Sequence, residues 1–193
     1  LSFPGKVITI FLFQIGGLGI ITFSTVFFML MGRGISFKGR EIVQSTFLHT
    51  PRMDFFAILK SVLWFTFFLE SLGTLLLWVR FSRDFPVGQA FFHALYNAIS
   101  AFNNCGYSTF SDNLIGYQGD LIVNLTVMGL IVLGGIGFIV QYEVFAKLRK
   151  KQKKLSVHTR IVLITTTILV FAGAIIFYLV EENHIIKGLP VQT

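Results

Sequence analysis

Long apolar stretches alternate with short polar ones along most of this chain. Four of the apolar stretches cover residues 7–31, 55–79, 121–146 and 161–180. Each is at least 20 residues long, and about 20 helical residues are needed to cross the hydrocarbon core of a bilayer. The first and last stretches contain no charged residue, whereas the second contains Lys60 and Glu70 and the third contains Glu143. The pattern therefore predicts four membrane-crossing helices.

A fifth apolar segment, Val87–Phe102, is shorter than the others. Its sequence, VGQAFFHALYNAISAF, is compatible with a helix. At about 1.5 Å per residue, however, such a helix is too short to cross a bilayer core. Pro86 precedes it, at a position where a helix start tolerates proline. We therefore predict a re-entrant half-helix, which ends in the polar sequence NNCGYS at 103–108, called the polar loop below.

The composition and the placement of charge agree with a membrane protein. Apolar residues make up 54% of the chain and charged residues 13%, with a mean hydropathy of +0.75, whereas a soluble domain contains about 25% charged residues. The net charge of +7 is concentrated, because eleven of the sixteen Lys and Arg lie in stretches 32–53 and 147–160. The positive-inside rule places both stretches in the cytoplasm, so the half-helix enters from outside. The charge thus indicates topology rather than nucleic-acid binding. A docking surface for an acidic cytoplasmic partner is a further interpretation of the basic stretches.

A glycine-rich motif occurs twice in the chain. IGGLGI at 15–20 recurs 118 residues later as LGGIGF at 133–138. The two motifs align the glycines Gly16, Gly17 and Gly19 with Gly134, Gly135 and Gly137. A repeat at this spacing indicates a unit of outer helix, half-helix and inner helix. The glycines either act as hinges of the inner helices or allow close helix packing.

The repeat divides the chain into five segments of an all-α, polytopic membrane protein. Residues 54–146 form one complete unit of outer helix, half-helix with loop, and inner helix. Residues 1–31 are predicted to be the inner helix of a preceding unit, and residues 161–193 to be the outer helix of a following unit with an external segment. Cytoplasmic loops 32–53 and 147–160 connect these parts. Because it holds incomplete units, we expect the chain to be a piece of a longer protein.

The polar loop has the chemistry of a cation site. Irregular backbone at membrane depth is tolerated only where it is buried in protein or lines a water-filled cavity. Its carbonyl oxygens can replace the hydration shell of a cation, as in the K⁺-filter sequence TVGYG, which the loop matches at Gly106 and Tyr107. Gly106 allows the required backbone conformation, although a helix C-cap is an alternative role. The negative end of the half-helix dipole also favours a cation at the loop.

Two residues outside this pattern have alternative interpretations. Glu70 is an ionisable group in a predicted membrane helix, which makes it a functional candidate. We expect its carboxyl to accept hydrogen bonds from backbone N–H groups of the polar loop, and a protonated acid packed between helices is the alternative. An enzyme is disfavoured, because Cys105 follows His93 by twelve residues without a third orienting group, a phosphate loop or a nucleophile elbow. The spacing of Cys and His also matches no zinc site.

The polar loop and the glycine-rich motifs carry a family resemblance. HALYNAISAFNNCGYS, followed by GDLIVNLTVMGLIVLGGIGF and LSVHTR, resembles the second pore-bearing repeat of the Trk/Ktr/HKT superfamily of potassium transporters, with KtrB-type (TrkH family) pore subunits most similar. FQIGGLGIITF resembles the inner helix of the first repeat. The resemblance implies four repeats around one ion path, K⁺ as the transported ion and Na⁺ as a coupling ion in some members. It also implies a homodimer in the lipid of the bacterial cytoplasmic membrane, with a cytoplasmic nucleotide-binding regulatory subunit of the KtrA/TrkA type.

The resemblance assigns roles to individual residues. It makes Gly106 the filter glycine, with K⁺ bound by the carbonyls of Asn104, Cys105 and Gly106, and it places Tyr107 in the same filter strand. Beside these roles, we expect Asn103, Ser108 and Glu70 to support the strand. Cys105 stands where a small residue such as alanine is expected, and Tyr107 where phenylalanine is expected, but neither change removes a carbonyl. Two alternatives remain: a membrane scaffold with a buried re-entrant loop, and a secondary transporter of another solute with a broken-helix site.

Overall fold

The computed structural model describes residues 2–17, 19, 55–149 and 154–181, with the backbone alone for 55–59 and 181. The helices are α1 (Phe3–Gly17), α2 (Phe55–Phe81), α3 (Val87–Phe102), α4 (Leu121–Gly135), α5 (Phe138–Leu148) and α6 (Val157–Glu181), with a short 3-10 helix at Ile115–Tyr117. The described residues contain no strand, so the predicted all-α class is confirmed. The chain divides into two compact units, residues 1–135 and 136–193.

Two helices are long and apolar enough to cross a membrane. They are Lys60–Phe81 within α2 and Val157–Val180 within α6. α4 and α5 pass the same test only when they are taken together, as an interrupted span or a re-entrant loop, and α1 is apolar but shorter. The described residues therefore provide two or three spans by length and composition. α3 has the bounds predicted for the half-helix.

The glycine-rich motifs end helices earlier than hydropathy predicts. α1 ends at Gly17, whereas the sequence predicts a continuous helix over 7–31. Residues 20–54 lie outside the described part of the chain. The stretch 121–146 is divided into α4 and α5. Gly19 has a φ of 79° and Gly137 a φ of 86°, a conformation that glycine adopts far more readily than other residues. Hydropathy misses these breaks because apolar residues continue through them.

The core of the first unit forms between α2, α3 and α4. Ala90, Ala94 and Ala98 of α3 recur at helical spacing and are fully or almost fully buried, and such small side chains allow neighbouring helices to approach closely. The core also contains the large apolar side chains Leu77, Phe81, Val123 and Leu130. The half-helix α3 is thus held between α2 and α4.

α1 covers a different part of α3. Phe13 of α1 packs with Tyr96 and Ile99 of α3 in a second apolar cluster. The hydroxyl groups of Thr9 and Tyr96 are hydrogen bonded at 3.0 Å. The half-helix α3 therefore contacts α1 as well as α2 and α4.

A polar network joins the end of α2 to the start of α4. Arg80 forms ion pairs with Asp120 and, at 2.7 Å, with Asp84. The hydroxyl of Tyr117 donates a hydrogen bond to Asp84 at 3.0 Å, and Asp120 accepts one at 3.1 Å from the N–H of Val123 in the first turn of α4. Burial, followed by the hydrogen bond to Asp84, raises the pKa of Tyr117 to about 12, so the hydroxyl stays a donor at neutral pH.

In the second unit, a carboxylate of α5 caps the start of α6. Glu143 is 5% exposed, and its carboxylate accepts a hydrogen bond of 2.9 Å from the N–H of Ser156. Ser156 precedes α6, and its Oγ accepts a hydrogen bond of 3.2 Å from the N–H of Thr159, as an N-cap serine does. In a capping box, an acidic residue in the first turn of the capped helix accepts this hydrogen bond. Here Glu143 of the preceding helix accepts it instead.

Gly134 and Gly73 both lie close to atoms of a neighbouring helix, which leads to a prediction about packing. A Cβ atom at Gly134 would overlap the backbone carbonyl oxygen of Phe102, whereas one at Gly73 would lie 2.6 Å from Cδ1 of Leu130, the end of a flexible side chain. We expect Gly134→Ala to lower the free energy of unfolding of the full-length protein by about 1–3 kcal/mol, as overpacking usually does, and Gly73→Ala to lower it less. Thermal unfolding in detergent measures both, and equal losses would contradict this account.

Candidate functional site

The polar loop leaves α3 through left-handed backbone. Asn103 is the C-cap residue of α3, and φ is 55° at Asn104 and 72° at Gly106. Asparagine tolerates this region better than most residues, and glycine occupies it without steric cost. A left-handed residue on each side of Cys105 excludes both helix and strand geometry. The loop therefore cannot satisfy its carbonyl groups by regular backbone pairing, as helices and sheets do.

Ser100 holds two N–H groups of the polar loop. It is 2% exposed, and its carbonyl oxygen accepts a hydrogen bond from the N–H of Cys105 at 2.9 Å. Its Oγ accepts a second hydrogen bond, from the N–H of Tyr107, also at 2.9 Å. The N–H of Asn104 is bound by the carbonyl oxygen of Ala101 at 3.1 Å. The last turn of α3 thus fixes the loop through its N–H groups.

The positions of these N–H groups determine where the carbonyl groups point. In a planar trans peptide, the N–H and the carbonyl of the preceding residue point in opposite directions. The carbonyls of Asn104 and Gly106 therefore both point away from Ser100. Among the residues that the structure describes, none donates a hydrogen bond to the carbonyl oxygens of Asn104 and Cys105, whereas that of Gly106 accepts one from Asn113 Nδ2 at 3.4 Å. Carbonyl oxygens turned outwards in this way can coordinate a cation.

The side chain of Asn103 lies in a polar cluster around the buried Glu70, in which Asn103 and Gln14 are half-buried. Its Nδ2 donates to the carbonyl oxygen of Ile99 at 2.9 Å and to Glu70 Oε1 at 3.0 Å. It also lies 3.5 Å from Gln14 Oε1. Nε2 of Gln14 donates to the other carboxylate oxygen of Glu70. The Glu70 carboxyl, on α2, therefore connects α1 with the C-terminal end of the half-helix.

These contacts of Glu70 differ from the predicted ones. The carboxyl accepts hydrogen bonds from the side-chain amides of Gln14 and Asn103, while the loop N–H groups are bound by Ser100 and Ala101. Glu70 is 5% exposed, so its contact with the polar loop is made through Asn103. Gln14 and Ser100 are not among the site residues predicted from the sequence. A lone amide inside an apolar stretch is the signal that singles out Gln14.

The second half of the polar loop packs against α1 and folds into a turn. The ring of Tyr107 stacks on that of Phe13 with centroids 5.5 Å apart, and Tyr107 stays 58% exposed. Oγ of Ser108 accepts a hydrogen bond from the N–H of Phe110 at 3.2 Å and donates one to the carbonyl oxygen of Asn113 at 3.5 Å. Ser108 thus supports the turn whose Asn113 side chain lies beside the Gly106 carbonyl.

Thr109, which follows the polar loop, connects it to α3. Its Oγ1 lies 2.7 Å from His93 Nδ1 and 3.2 Å from Asn97 Nδ2, and its carbonyl oxygen accepts from Lys6 Nζ at 3.4 Å. His93 is therefore a packed, hydrogen-bonded residue, and Cys105 Sγ instead contacts the carbonyl oxygen of Asn103 at 3.5 Å. The described residues contain no cluster of three or more His, Cys, Asp or Glu suited to a metal ion.

Both inner helices approach the end of α3 through glycine. A Cβ atom at Gly17 of α1 would overlap the side chain of Asn103. A Cβ atom at Gly134 of α4 would overlap the carbonyl oxygen of Phe102 and lie 3.3 Å from Asn104 Nδ2. One of the two adjacent glycines in each motif, Gly17 or Gly134, thus allows close packing, while the last glycine of each motif has the left-handed backbone.

The fold and this site together define a class of protein: a helical membrane protein with a re-entrant half-helix and an outward-turned carbonyl loop. Comparison with known families matches residues 1–186 to the family described as "TrkH: Cation transport protein". The chain belongs to this family, which consists of ion transporters rather than enzymes. The predicted resemblance is confirmed.

Individual relatives agree with this assignment. The chain is 32% identical over 183 residues to Ktr system potassium uptake protein B of Vibrio alginolyticus and 33% identical over 180 residues to the protein of the same name from Bacillus subtilis. It is 27% identical over 186 residues to potassium/sodium uptake protein NtpJ of Enterococcus hirae. These matches cover 95%, 93% and 95% of this chain and 40%, 40% and 41% of the relatives. The chain thus spans about two fifths of the length of these relatives.

The backbone of the polar loop predicts that alanine substitutions at Gly106 and Gly129 change the free energy of unfolding in opposite directions. A Cβ atom at Gly106 or at Gly129 of α4 would have no atom within 4 Å. We expect Gly106→Ala to lower the free energy of unfolding by about 1–2 kcal/mol because its φ is positive. Gly129→Ala should raise it by about 0.5–1 kcal/mol because Gly129 is inside a helix. Thermal unfolding of the full-length variants tests this, and shifts of the same sign would rule out the left-handed conformation at Gly106.

Proposed function

We propose that the full-length protein takes up K⁺ across the cytoplasmic membrane, and that residues 103–108 supply one of four filter strands around a single ion path. The proposal rests on the carbonyl groups of Asn104 and Gly106, which both turn away from Ser100 at the C-terminal end of α3. This end of a helix carries partial negative charge and favours a cation. The potassium uptake named in the relatives supports K⁺ as the ion.

Ion passage needs no covalent step. K⁺ exchanges hydration water for carbonyl oxygens of Asn104, Cys105 and Gly106 and of the equivalent strands. The membrane potential drives the ion inwards, at about 2.3 kcal/mol per charge per 100 mV. One strand covers only one side of an ion, so three further strands complete the path.

The topology and the partners follow the same proposal. The basic stretches 32–53 and 147–160 face the cytoplasm, where a nucleotide-binding regulatory subunit of the KtrA/TrkA type docks on a homodimer of full-length subunits. The word "system" in the names of two relatives supports such an assembly. Na⁺ is proposed as a coupling ion, supported by the potassium/sodium name of NtpJ.

The substitution Gly106→Ser tests the proposed filter directly. In cells that lack other K⁺ uptake systems, we expect it to lower K⁺ uptake by the full-length protein at least about tenfold, because serine disfavours left-handed backbone. Gly129→Ser, with equally open surroundings on α4, is the matched control. Normal uptake by a well-expressed Gly106→Ser variant would support a scaffold instead, and competition by an organic solute would indicate a secondary transporter.

The polar cluster around Glu70 generates a prediction about selectivity. Glu70→Gln replaces a carboxylate that accepts from Gln14 and Asn103 with an amide that has one acceptor oxygen, so one donor loses its partner. An unpaired buried donor costs about 1–3 kcal/mol. We therefore expect the ratio of K⁺ to Na⁺ uptake to fall about tenfold.

A double variant separates positioning from a general loss of packing. Gln14→Glu combined with Glu70→Gln returns one carboxylate to the cluster on the neighbouring helix, where Asn103 Nδ2 is already within 3.5 Å. We expect it to recover most of the selectivity that Glu70→Gln loses. Unchanged selectivity in Glu70→Gln, or a double variant no better than the single one, would show that the cluster does not position the loop.

A further inference from the structure

The turn that follows the polar loop brings one side chain back against it. Asn113 Nδ2 donates a hydrogen bond of 3.4 Å to the carbonyl oxygen of Gly106, seven residues earlier in the chain. No described residue donates to the carbonyl oxygens of Asn104 and Cys105. The three carbonyl groups proposed to bind K⁺ therefore differ, because a side chain holds only that of Gly106.

The turn holds Asn113 through both of its backbone polar groups. Its carbonyl oxygen accepts a hydrogen bond from Ser108 Oγ at 3.5 Å, and its N–H donates one to the carbonyl oxygen of Phe110 at 3.4 Å. Ser108 Oγ also accepts from the N–H of Phe110 at 3.2 Å. The backbone from which the amide of Asn113 extends is thus fixed relative to the polar loop.

The left-handed backbone of Asn113 accounts for the residue type but not for this contact. Its φ is 61°, which asparagine tolerates better than most residues. The amide of an asparagine commonly bonds to nearby backbone. Asn104, which is also left-handed, does so, because its Nδ2 donates to the carbonyl oxygen of Phe102 two residues earlier, at 3.3 Å. The amide of Asn113 instead reaches the polar loop.

Asn113 and Gly106 border the same open space. Both residues, together with Asn104, line a cavity of about 270 Å³ beside the polar loop, and Asn113 is exposed. In the proposed topology, α3 points into the membrane and the chain then returns outwards. The carbonyl of Gly106 is therefore the outermost of the three, and an ion that enters from outside meets it first.

A hydrogen bond at this carbonyl bears on ion selectivity. A carbonyl oxygen has two lone pairs, so it can accept from an amide and coordinate a cation at the same time. The amide fixes the direction of the carbonyl and weakens its field at the ion. Cavity size and the field strength of the carbonyl dipoles are the two quantities held to set selectivity for K⁺ over Na⁺. Because Na⁺ binds its hydration water more strongly than K⁺ does, a weaker field favours K⁺.

We propose that Asn113 is a positioning residue that sets selectivity for K⁺ over Na⁺ by holding the Gly106 carbonyl at the outer end of the filter strand. The inference rests on the proposed function. It extends the selectivity site beyond the polar loop, to a side chain that belongs to the turn leading into α4.

Two substitutions separate the amide of Asn113 from the turn. Asn113→Gly keeps the left-handed backbone and removes the amide, whereas Asn113→Asp keeps the shape of the side chain and replaces the donor with an acceptor. In cells without other K⁺ uptake systems, we expect each variant of the full-length protein to lower the ratio of K⁺ to Na⁺ uptake about fivefold. Ser111→Gly, which adds a glycine to the same turn at an exposed position, should leave the ratio unchanged.

Only a loss of selectivity in both Asn113 variants supports the inference. A normal ratio in Asn113→Gly would show that the amide is dispensable. A normal ratio in Asn113→Asp would show that the shape of the side chain matters rather than its donor. An equal loss in Ser111→Gly would show that the flexibility of the turn explains the effect. Each of these three results overturns the inference.

Potassium binding can be measured apart from transport. In thermal unfolding of the full-length protein in detergent at increasing K⁺ concentration, bound K⁺ stabilises the folded state. We expect the concentration for half of the maximal shift to rise about fivefold in Asn113→Gly and to stay unchanged in Ser111→Gly. An unchanged concentration in Asn113→Gly overturns the inference. A wild-type protein without K⁺ uptake overturns the proposed function, and this binding measurement then still decides the inference.

Discussion

The hydrogen-bonding requirement of the backbone governs this structure. A chain that leaves helical geometry at membrane depth must find a partner for every N–H and C=O, because an unsatisfied group costs several kcal/mol in hydrocarbon. In the polar loop, Ser100 binds the N–H groups of Cys105 and Tyr107. Peptide planarity then turns the carbonyls of Asn104 and Gly106 to the opposite side. The Gly106 carbonyl oxygen accepts a hydrogen bond from Asn113 Nδ2, whereas that of Asn104 has no donor among the described residues. Water or a cation must meet the Asn104 oxygen, so the folding requirement and the proposed function coincide there.

The surrounding helices serve to hold this loop. The half-helix ends where the loop must begin, and it is enclosed by α1, α2 and α4. Glu70 accepts hydrogen bonds from Gln14 and Asn103, which ties the end of α3 to the preceding helix α2 and to α1, which is distant in sequence. Glycine at positions 17 and 134 brings both inner helices against the same end. A buried carboxyl would be costly in lipid without such partners, so these donors account for its place in α2.

Hydropathy and local chemistry predict the half-helix well, because Pro86 and the polar loop mark its two ends within the sequence. They predict the positions of the breaks in 7–31 and 121–146 poorly, because a left-handed glycine changes the backbone without changing hydropathy. The partners of Glu70 depend on tertiary packing: Gln14 and Asn103 are 89 residues apart, and no local pattern relates them. Ser100 was missed for a different reason, since a serine in a helix gives no sign that its oxygens bind a loop beyond the helix end.

The glycine pairs of α1 and α4 show how both helices can approach the same helix end. Gly17 of α1 lies against the side chain of Asn103, and Gly134 of α4 lies against the carbonyl oxygen of Phe102. Adjacent positions on a helix are separated by about 100°, so the two glycines of a pair lie on different faces and only one of them makes the close approach in each helix. A side chain at either of these two positions would push a helix away from the point where the polar loop begins, and the position of the loop therefore depends on both.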